Sequence, residues 1–174
     1  MRVLVIQSHR SPLPVPWIER CVDSVRAWAH DRKFDYRWSG DEIFEPLSVK
    51  LRHKTRHRKA VASDLARLYA LRAALAEGYQ QAVWVDADVL VFDPDALTLP
   101  DTDHAFGREN WVQLTDSGKP RIYRRIHNAV MSFSAESSFL DFYLYSAERI
   151  LTRHKDQMVL LHMLMQQGLQ RPIG

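Results

Sequence analysis

The sequence contains a single cysteine, Cys21, among 174 residues. One cysteine cannot form an intrachain disulfide or supply a cysteine-based zinc site, so a reducing compartment is the simplest expectation. No apolar stretch approaches the roughly 20 residues that a membrane-spanning helix needs. The N-terminus enters the apolar run VLVI after one arginine, and this run is too short for the apolar region of a signal peptide. We therefore expect a cytoplasmic protein.

Glycine and proline are also scarce, with 6 and 8 copies, which excludes collagen-like and low-complexity chains. Hydrophobic residues make up 46% of the sequence and charged residues 26%, as in ordinary globular proteins. A chain of this length buries roughly 70% of its unfolded surface, which is enough for one core. Because no long linker divides the sequence, we predict one domain over residues 1–174.

The net charge of +3 is unevenly distributed. Residues 50–59 (KLRHKTRHRK) contain six lysines or arginines and no acid, so the rest of the chain is net acidic. Such a cluster can serve nucleic acid, anionic lipid or a phosphate-bearing ligand, and it can also be a solvated loop. We place this basic segment in a loop near the site, expect no nucleic-acid partner, and regard peripheral membrane contact as open.

The order of predicted elements is that of an α/β domain. A buried strand is predicted at residues 3–7, and a second strand at 34–38. Between them, a helix begins near Trp17, after a proline-rich turn. Its apolar positions recur at helical spacing and comprise Ile18, Cys21, Val22, Val25 and Trp28.

A long amphipathic helix follows the basic segment and ends at Gly78, a residue typical of helix C-termini. Its apolar face comprises Val61, Leu65, Leu68, Leu71, Ala74 and Leu75. After an apolar strand near residue 84, shorter strands separated by loops are predicted at 105–107, 121–123 and 129–133. Two helices, at 137–151 and 155–167, are predicted to close the chain.

Two aspartates stand inside the apolar segment AVWVDADVLVF (82–92). Because side chains alternate along a strand, an extended backbone would place Asp86 and Asp88 on one side. Two carboxylates so close together repel each other and lose hydration unless a positive group compensates. Hard oxygen ligands suit Mn²⁺ or Mg²⁺, so we interpret the pair as a metal site at the C-terminal edge of a sheet. The alternative is a pair of successive turns, the second at Asp93.

Three segments resemble those of GT-A glycosyltransferases, above all family 8 and its retaining relatives. They are SDLARLYALRAALAEGYQQAVWVDADVLVF from residue 63, HNAVMSFS at 127–134 and KDQMVLLHML at 155–164. The resemblance covers residues 60–168. It implies a single GT-A-like, Rossmann-like α/β domain with a mixed, mostly parallel central sheet flanked by helices.

The resemblance also implies the residues that contact the donor, a nucleotide diphosphate sugar for which UDP is the family default. Asp86 and Asp88 would bind the metal and, through it, the diphosphate. Arg67 would contact the sugar or a phosphate, and Asp64 would orient Arg67 or touch the nucleotide. Asn128 would hydrogen-bond the donor.

Further roles come from the same resemblance. Ala129 would keep the wall beside the donor small. Asp156 would hold sugar hydroxyls, and Gln157 would lie near the anomeric carbon. Because Gln157 is a weak nucleophile, the implied retaining reaction is a front-face attack by the acceptor hydroxyl. The acceptor, whether saccharide, lipid-linked or protein, is not indicated.

Two departures from the family pattern affect the site. After the first strand stands QSHRSPLP rather than the family's nucleotide-binding pattern, so the base is not indicated and uridine is only the family default. The family's third metal ligand, a histidine in a C-terminal motif that ends Lys-Pro-Trp, is absent, because this chain stops at Gly174 after RPIG. Either another group, such as one of the eight histidines, completes the site, or metal binding is weak, or the chain is a shortened form. The alternatives to a transferase are a degenerate, non-catalytic nucleotide-sugar-binding domain and a nucleotidyltransferase, although no glycine-rich phosphate loop is visible.

Overall fold

The computed structural model describes residues 1–153. The strands in this part of the chain are β1 (Val3–Ser8), β2 (Asp35–Ser39), β3 (Gln81–Val85), β4 (His104–Leu114) and β5 (Pro120–Ser134). The helices are α1 (Pro16–Asp31), α2 (Val49–Thr55), α3 (Lys59–Ala76) and α4 (Ser138–Arg153), with a short 3₁₀ helix at Asp41–Phe44.

The five strands form one mixed sheet in the order β2-β1-β3-β5-β4. Strands β2, β1 and β3 are parallel to one another, whereas β5 runs antiparallel to both of its neighbours, β3 and β4. The predicted α/β class, with a mixed sheet flanked by helices, is confirmed.

The central strands β1 and β3 are apolar because both of their faces are covered. Val3 and Val5 pack with Val25 and Trp28 of α1 on one face of the sheet. On the other face, Leu4 and Ile6 belong to a larger core that also contains apolar residues of α3 and α4. Strands buried on both sides read as continuous apolar runs, as the sequence of β1 does.

Helix α3 ends as predicted. Leu65, Leu68, Leu71 and Ala74 of its apolar face are inaccessible to solvent, whereas Val61 and Leu75 at the two ends of that face are half-buried. After the last turn, Gly78 adopts a φ of +91°, and the amide of Tyr79 donates to the carbonyl of Ala74. A left-handed residue at this position lets the chain leave the helix and enter β3 within a few residues.

The basic segment is mostly helical, so its predicted assignment as a loop is wrong. Residues 49–55 form α2, which begins with Ser48 accepting a hydrogen bond from the amide of Leu51. Leu51 is buried in the core. Nζ of Lys54 donates to the carbonyls of Leu151 and Thr152 at the end of α4, at 2.9 and 2.6 Å. Part of the positive charge therefore stabilises helix packing.

Residues 104–134 form one long hairpin rather than three short strands separated by loops. The turn between β4 and β5 includes Gly118, whose φ is +75°, and the amide of Thr115 donates to the carbonyl of Lys119. The register shifts between Phe106 and Gly107, where β5 has extra residues. This irregularity lies beside the end of β3. Over residues 1–153, no helix has the length and apolar character to cross a bilayer.

We expect Gly78→Ala to lower the free energy of unfolding by about 1 kcal/mol, because an L-residue is strained in the left-handed region. A Cβ atom at this position would meet no heavy atom within 4 Å, so the loss would be purely conformational. Urea denaturation measures it. Gly78→Asn is the matched control and should lose less, since asparagine tolerates this conformation. Equal midpoints for Gly78→Ala and the unchanged protein would contradict the assignment.

Candidate active site

A cleft of about 540 Å³ opens at the C-terminal edge of the parallel strands. Ser8 and His9 line it at the end of β1, and Asp86 and Asp88 line it after β3. The third wall comes from the first turns of α3, including Arg67. In α/β proteins this edge is where ligands bind, because the loops that leave the strands diverge there.

The two aspartates lie in a turn rather than on an extended strand. Strand β3 ends at Val85, and the amide of Val89 donates to the carbonyl of Asp86 at 3.1 Å. The amide of Asp86 donates to the carbonyl of Ala129 on β5 at 2.7 Å. The extended backbone assumed from the sequence is therefore wrong, yet the turn still places Asp86 and Asp88 on the same cleft.

Arg67 connects three parts of the site. Its guanidinium lies 3.0 Å from carboxylate oxygens of both Asp64 and Asp86, and it donates to the carbonyl of Asn128 at 3.0 Å. The guanidinium carbon also lies 5.2 Å from the centre of the Trp84 ring. The side chain is only 9% exposed. Among the described residues, its buried Nε has no hydrogen-bond partner.

The remaining predicted donor-contacting residues join the same network. Nδ2 of Asn128 donates to Asp64 at 3.1 Å, which ties β5 to α3. Ala129 uses its backbone, since its carbonyl accepts from Asp86 and its amide donates to Nδ1 of His127. The structure thus brings together residues that are 61 and 64 positions apart in the sequence. All of these contacts are between protein groups, and the roles toward a donor stay predictions.

Asp86 lies in a partly dry, net negative environment. Its Oδ1 accepts a hydrogen bond from Nε1 of Trp84 at 2.6 Å, besides pairing with Arg67. Burial raises the pKa of Asp86 above its usual range, against the lowering effects of Arg67 and Trp84, and the charges of Asp88 and Asp64 raise it further. Asp64 and Asp86 share the guanidinium of Arg67, and Asp88 lines the same cleft, so an added cation would stabilise the charged form of Asp86.

The two cleft carboxylates are suitable for a divalent cation but do not enclose it. Within residues 1–153, no group of three or more histidine, cysteine, aspartate or glutamate side chains converges on one point. The side-chain contacts of Asp86 with Arg67 and Trp84 both use Oδ1. Mg²⁺ and Mn²⁺ commonly take one or two carboxylates and fill their other positions with water and substrate phosphates. Asp86 and Asp88 fit that pattern.

A second cavity, of about 310 Å³, adjoins the cleft and shares Ser8, His9 and Ser63 with it. It is also lined by Arg10 and Lys59, two cations. The sequence pattern did not single out His9 or Arg10; the only signal was their position directly after the first strand. Lys59 is the last residue of the basic segment, so that segment does reach the site.

The predicted Asp156 and Gln157 lie outside the described residues. Their proximity to Arg67 and Asp86 therefore stays a prediction.

Comparison with known proteins gives weak likenesses among solved structures alone. No protein-family model matches the sequence, and no match is found among curated proteins. One solved structure is described as "crystal structure of a glycosyltransferase involved in the glycosylation of the major capsid of PBCV-1". It is 13% identical with a TM-score of 0.43, over 89% of this chain and 68% of that chain. This likeness establishes neither the family nor the reaction of the present chain.

Replacing Arg67 with methionine should destabilise the fold by about 3 kcal/mol, because it leaves buried carboxylates without their cation. The matched control is Arg37→Met. Arg37 pairs with Glu77 at 2.6 Å, but both side chains are more than a third exposed, so the loss should stay below about 1 kcal/mol. Urea denaturation of both variants measures the difference. Similar losses would show that Arg67 is not the centre of the network.

Proposed function

We propose that this protein is a glycosyltransferase that moves a sugar from a nucleoside diphosphate sugar, by family default a UDP-sugar, to an acceptor hydroxyl. One observation carries the proposal: carboxylates and cations meet in one cleft at the C-terminal edge of β1 and β3. Asp86 and Asp88 follow β3, Arg67 contacts Asp86, and Lys59 lines the adjoining cavity. A divalent cation and basic side chains can both neutralise the charge of a diphosphate.

The reaction breaks the bond between the anomeric carbon and a phosphate oxygen, so negative charge grows on the leaving diphosphate. Asp86 and Asp88 would hold Mn²⁺ or Mg²⁺, which supplies Lewis-acid neutralisation of that charge. Arg10 and Lys59 would contribute hydrogen bonds and positive charge from the protein, and Arg67 would add positive charge beside Asp86. These groups come from different elements but line adjoining cavities.

The network around Arg67 would act by preorganisation. Asp64 and the Asn128 carbonyl hold the guanidinium before any donor binds, so little reorganisation is needed during the reaction. Asn128 and Ala129 would then border the donor. Asp156 would accept hydrogen bonds from sugar hydroxyls, and retention by front-face attack is proposed from the family 8 resemblance alone.

A second candidate is a non-catalytic domain that binds a nucleotide sugar. The observation in its favour is that Oδ1 of Asp86 already serves Arg67 and Trp84, while the described residues supply no third metal-binding side chain. Such a domain would bind the donor through its cations and would not depend on a metal.

A panel of UDP-sugars, incubated with the full chain and Mn²⁺, should reveal slow hydrolysis of one donor that stops with EDTA. Asp88→Asn should lower this rate about 100-fold or more, because it removes one anionic oxygen ligand without changing side-chain volume. Released UDP is the readout, and calorimetric titration of the same donor measures binding.

The matched control is Asp31→Asn, at the end of α1, whose side chain is 71% exposed and outside the cleft. It should keep full activity. The non-catalytic domain would be favoured if the donor bound without turnover, and if neither EDTA nor Asp88→Asn weakened that binding. Absence of both binding and turnover for every nucleotide sugar would overturn the proposal.

A further inference from the structure

The outer part of the β4–β5 hairpin extends beyond the sheet. Strand β3 pairs only with residues 130–134 of β5. From the pair Gly107 and His127 to the pair Leu114 and Pro120, β4 and β5 pair with each other, and no other described strand joins them. We call residues 107–127 the ribbon. A two-stranded ribbon is marginally stable in water by itself, so its surface composition is informative.

One face of the ribbon is apolar and exposed. Val112 and Ile122 lie directly opposite each other, and Leu114 follows on the same face, two residues after Val112. Their exposed fractions are 59%, 63% and 74%. Monomeric soluble domains rarely leave adjacent aliphatic side chains so accessible unless the patch binds something.

The same face is basic and carries no acid. Arg108 and Arg124 alternate in phase with Val112 and Ile122, and both are exposed. The other strand positions of this face are Asn110, Pro120 and Ile126. Aliphatic groups flanked by arginines are complementary to a surface that offers both hydrocarbon and negative charge.

The opposite face of the ribbon is internally partnered. The guanidinium carbon of Arg121 lies 5.1 Å from the ring centre of Tyr123, and that of Arg125 lies 5.9 Å from the ring centres of both Tyr123 and Trp111. Glu109 lies opposite Arg125 on this face. Its cations are therefore partly compensated, which leaves the face of Val112 as the better docking surface.

We propose that the ribbon docks this protein on an anionic lipid surface through the face that carries Val112, Leu114 and Ile122. The aliphatic side chains enter the boundary between headgroups and acyl chains, and Arg108 and Arg124 contact lipid phosphates. A second copy of the chain is a poor occupant, because two acid-free basic faces repel each other. Nucleic acid offers phosphate but no apolar layer for three aliphatic side chains.

The ribbon joins the part of β5 that lies at the cleft. The ribbon ends at His127, and the next two residues, Asn128 and Ala129, contact Arg67 and Asp86. The ribbon is therefore continuous along β5 with two residues that contact the cleft side chains. The inference does not require the proposed function, since lipid binding is measured without a donor.

Cosedimentation of the full chain with lipid vesicles tests the proposal. Vesicles of phosphatidylcholine with about 30% phosphatidylserine should bind the protein, pure phosphatidylcholine vesicles should not, and binding should weaken with added salt. Arg108→Gln with Arg124→Gln should weaken binding about thirtyfold, as expected for two basic residues near an anionic surface. Val112→Ser with Ile122→Ser should also weaken it, at an unchanged thermal midpoint.

A fluorescent label gives a second readout that does not remove any docking residue other than the labelled one. Because Cys21 is buried, Leu114→Cys provides one accessible thiol for an environment-sensitive dye. Its emission should shift to the blue on anionic vesicles. The matched label at Val49→Cys, on α2 and 81% exposed in the unchanged protein, should not shift.

The result that would overturn the proposal is vesicle binding that ignores the ribbon variants and is lost in Arg56→Gln with Arg58→Gln, because the basic segment would then be the lipid contact. Absence of vesicle binding would overturn it as well. Two further results would overturn it if the ribbon variants left vesicle binding unaffected. One is the loss of self-association in analytical ultracentrifugation, and the other is the loss of binding to single-stranded RNA.

Discussion

The buried guanidinium of Arg67 is the interaction on which the site depends. It lies on α3, pairs with Asp64 on the same helix and with Asp86 after β3, and donates to the carbonyl of Asn128 on β5. Three elements that are far apart in the sequence are therefore held by one cation. Loss of one partner of such a buried pair is costly, because the remaining charge stays in a dry environment.

The charge balance of the cleft follows from this arrangement. One guanidinium serves Asp64 and Asp86, while Asp88 adds a third carboxylate. Burial raises the pKa of the Cys21 thiol, and the charge of Asp88 raises it further. The raised pKa of Asp86 indicates that burial outweighs the attraction of Arg67. A surplus of negative charge beside two cationic residues of an adjoining cavity suits a cation together with a phosphate ligand, and it suits a neutral ligand poorly.

Strand β5 links the buried core to the exposed ribbon. Its last residues pair with β3 in the core, where Met131 and Phe133 are fully buried. Its middle supplies Asn128 and Ala129 to the site, and its first half forms the ribbon. The change from core to ribbon occurs at the register shift after Phe106, where the regular ladder is interrupted. Irregularities of this type commonly redirect strands next to functional sites.

The sequence alone determined the elements whose side chains repeat with a clear period. Strand β1, helix α3 with its end at Gly78, and the position of Asp86 and Asp88 after an apolar strand could be predicted, because local periodicity reports which faces are buried. The family resemblance also selected Asp64, Arg67, Asn128 and Ala129, and the structure places these residues in one network.

Only the tertiary structure decided the rest, because long-range partners override local pattern. The polar composition of residues 50–59 suggested a loop, but Ser48 caps the helix and Lys54 binds carbonyls of α4, 97 and 98 positions away. The sequence predicts short strands where the hairpin of β4 and β5 lies, because a ribbon with two exposed faces lacks a clean alternation of apolar and polar residues. The chain turns at Asp86, where the amide of Val89 donates to the Asp86 carbonyl, while the Asp86 amide still bonds to Ala129 of β5, a contact that no spacing along the chain encodes.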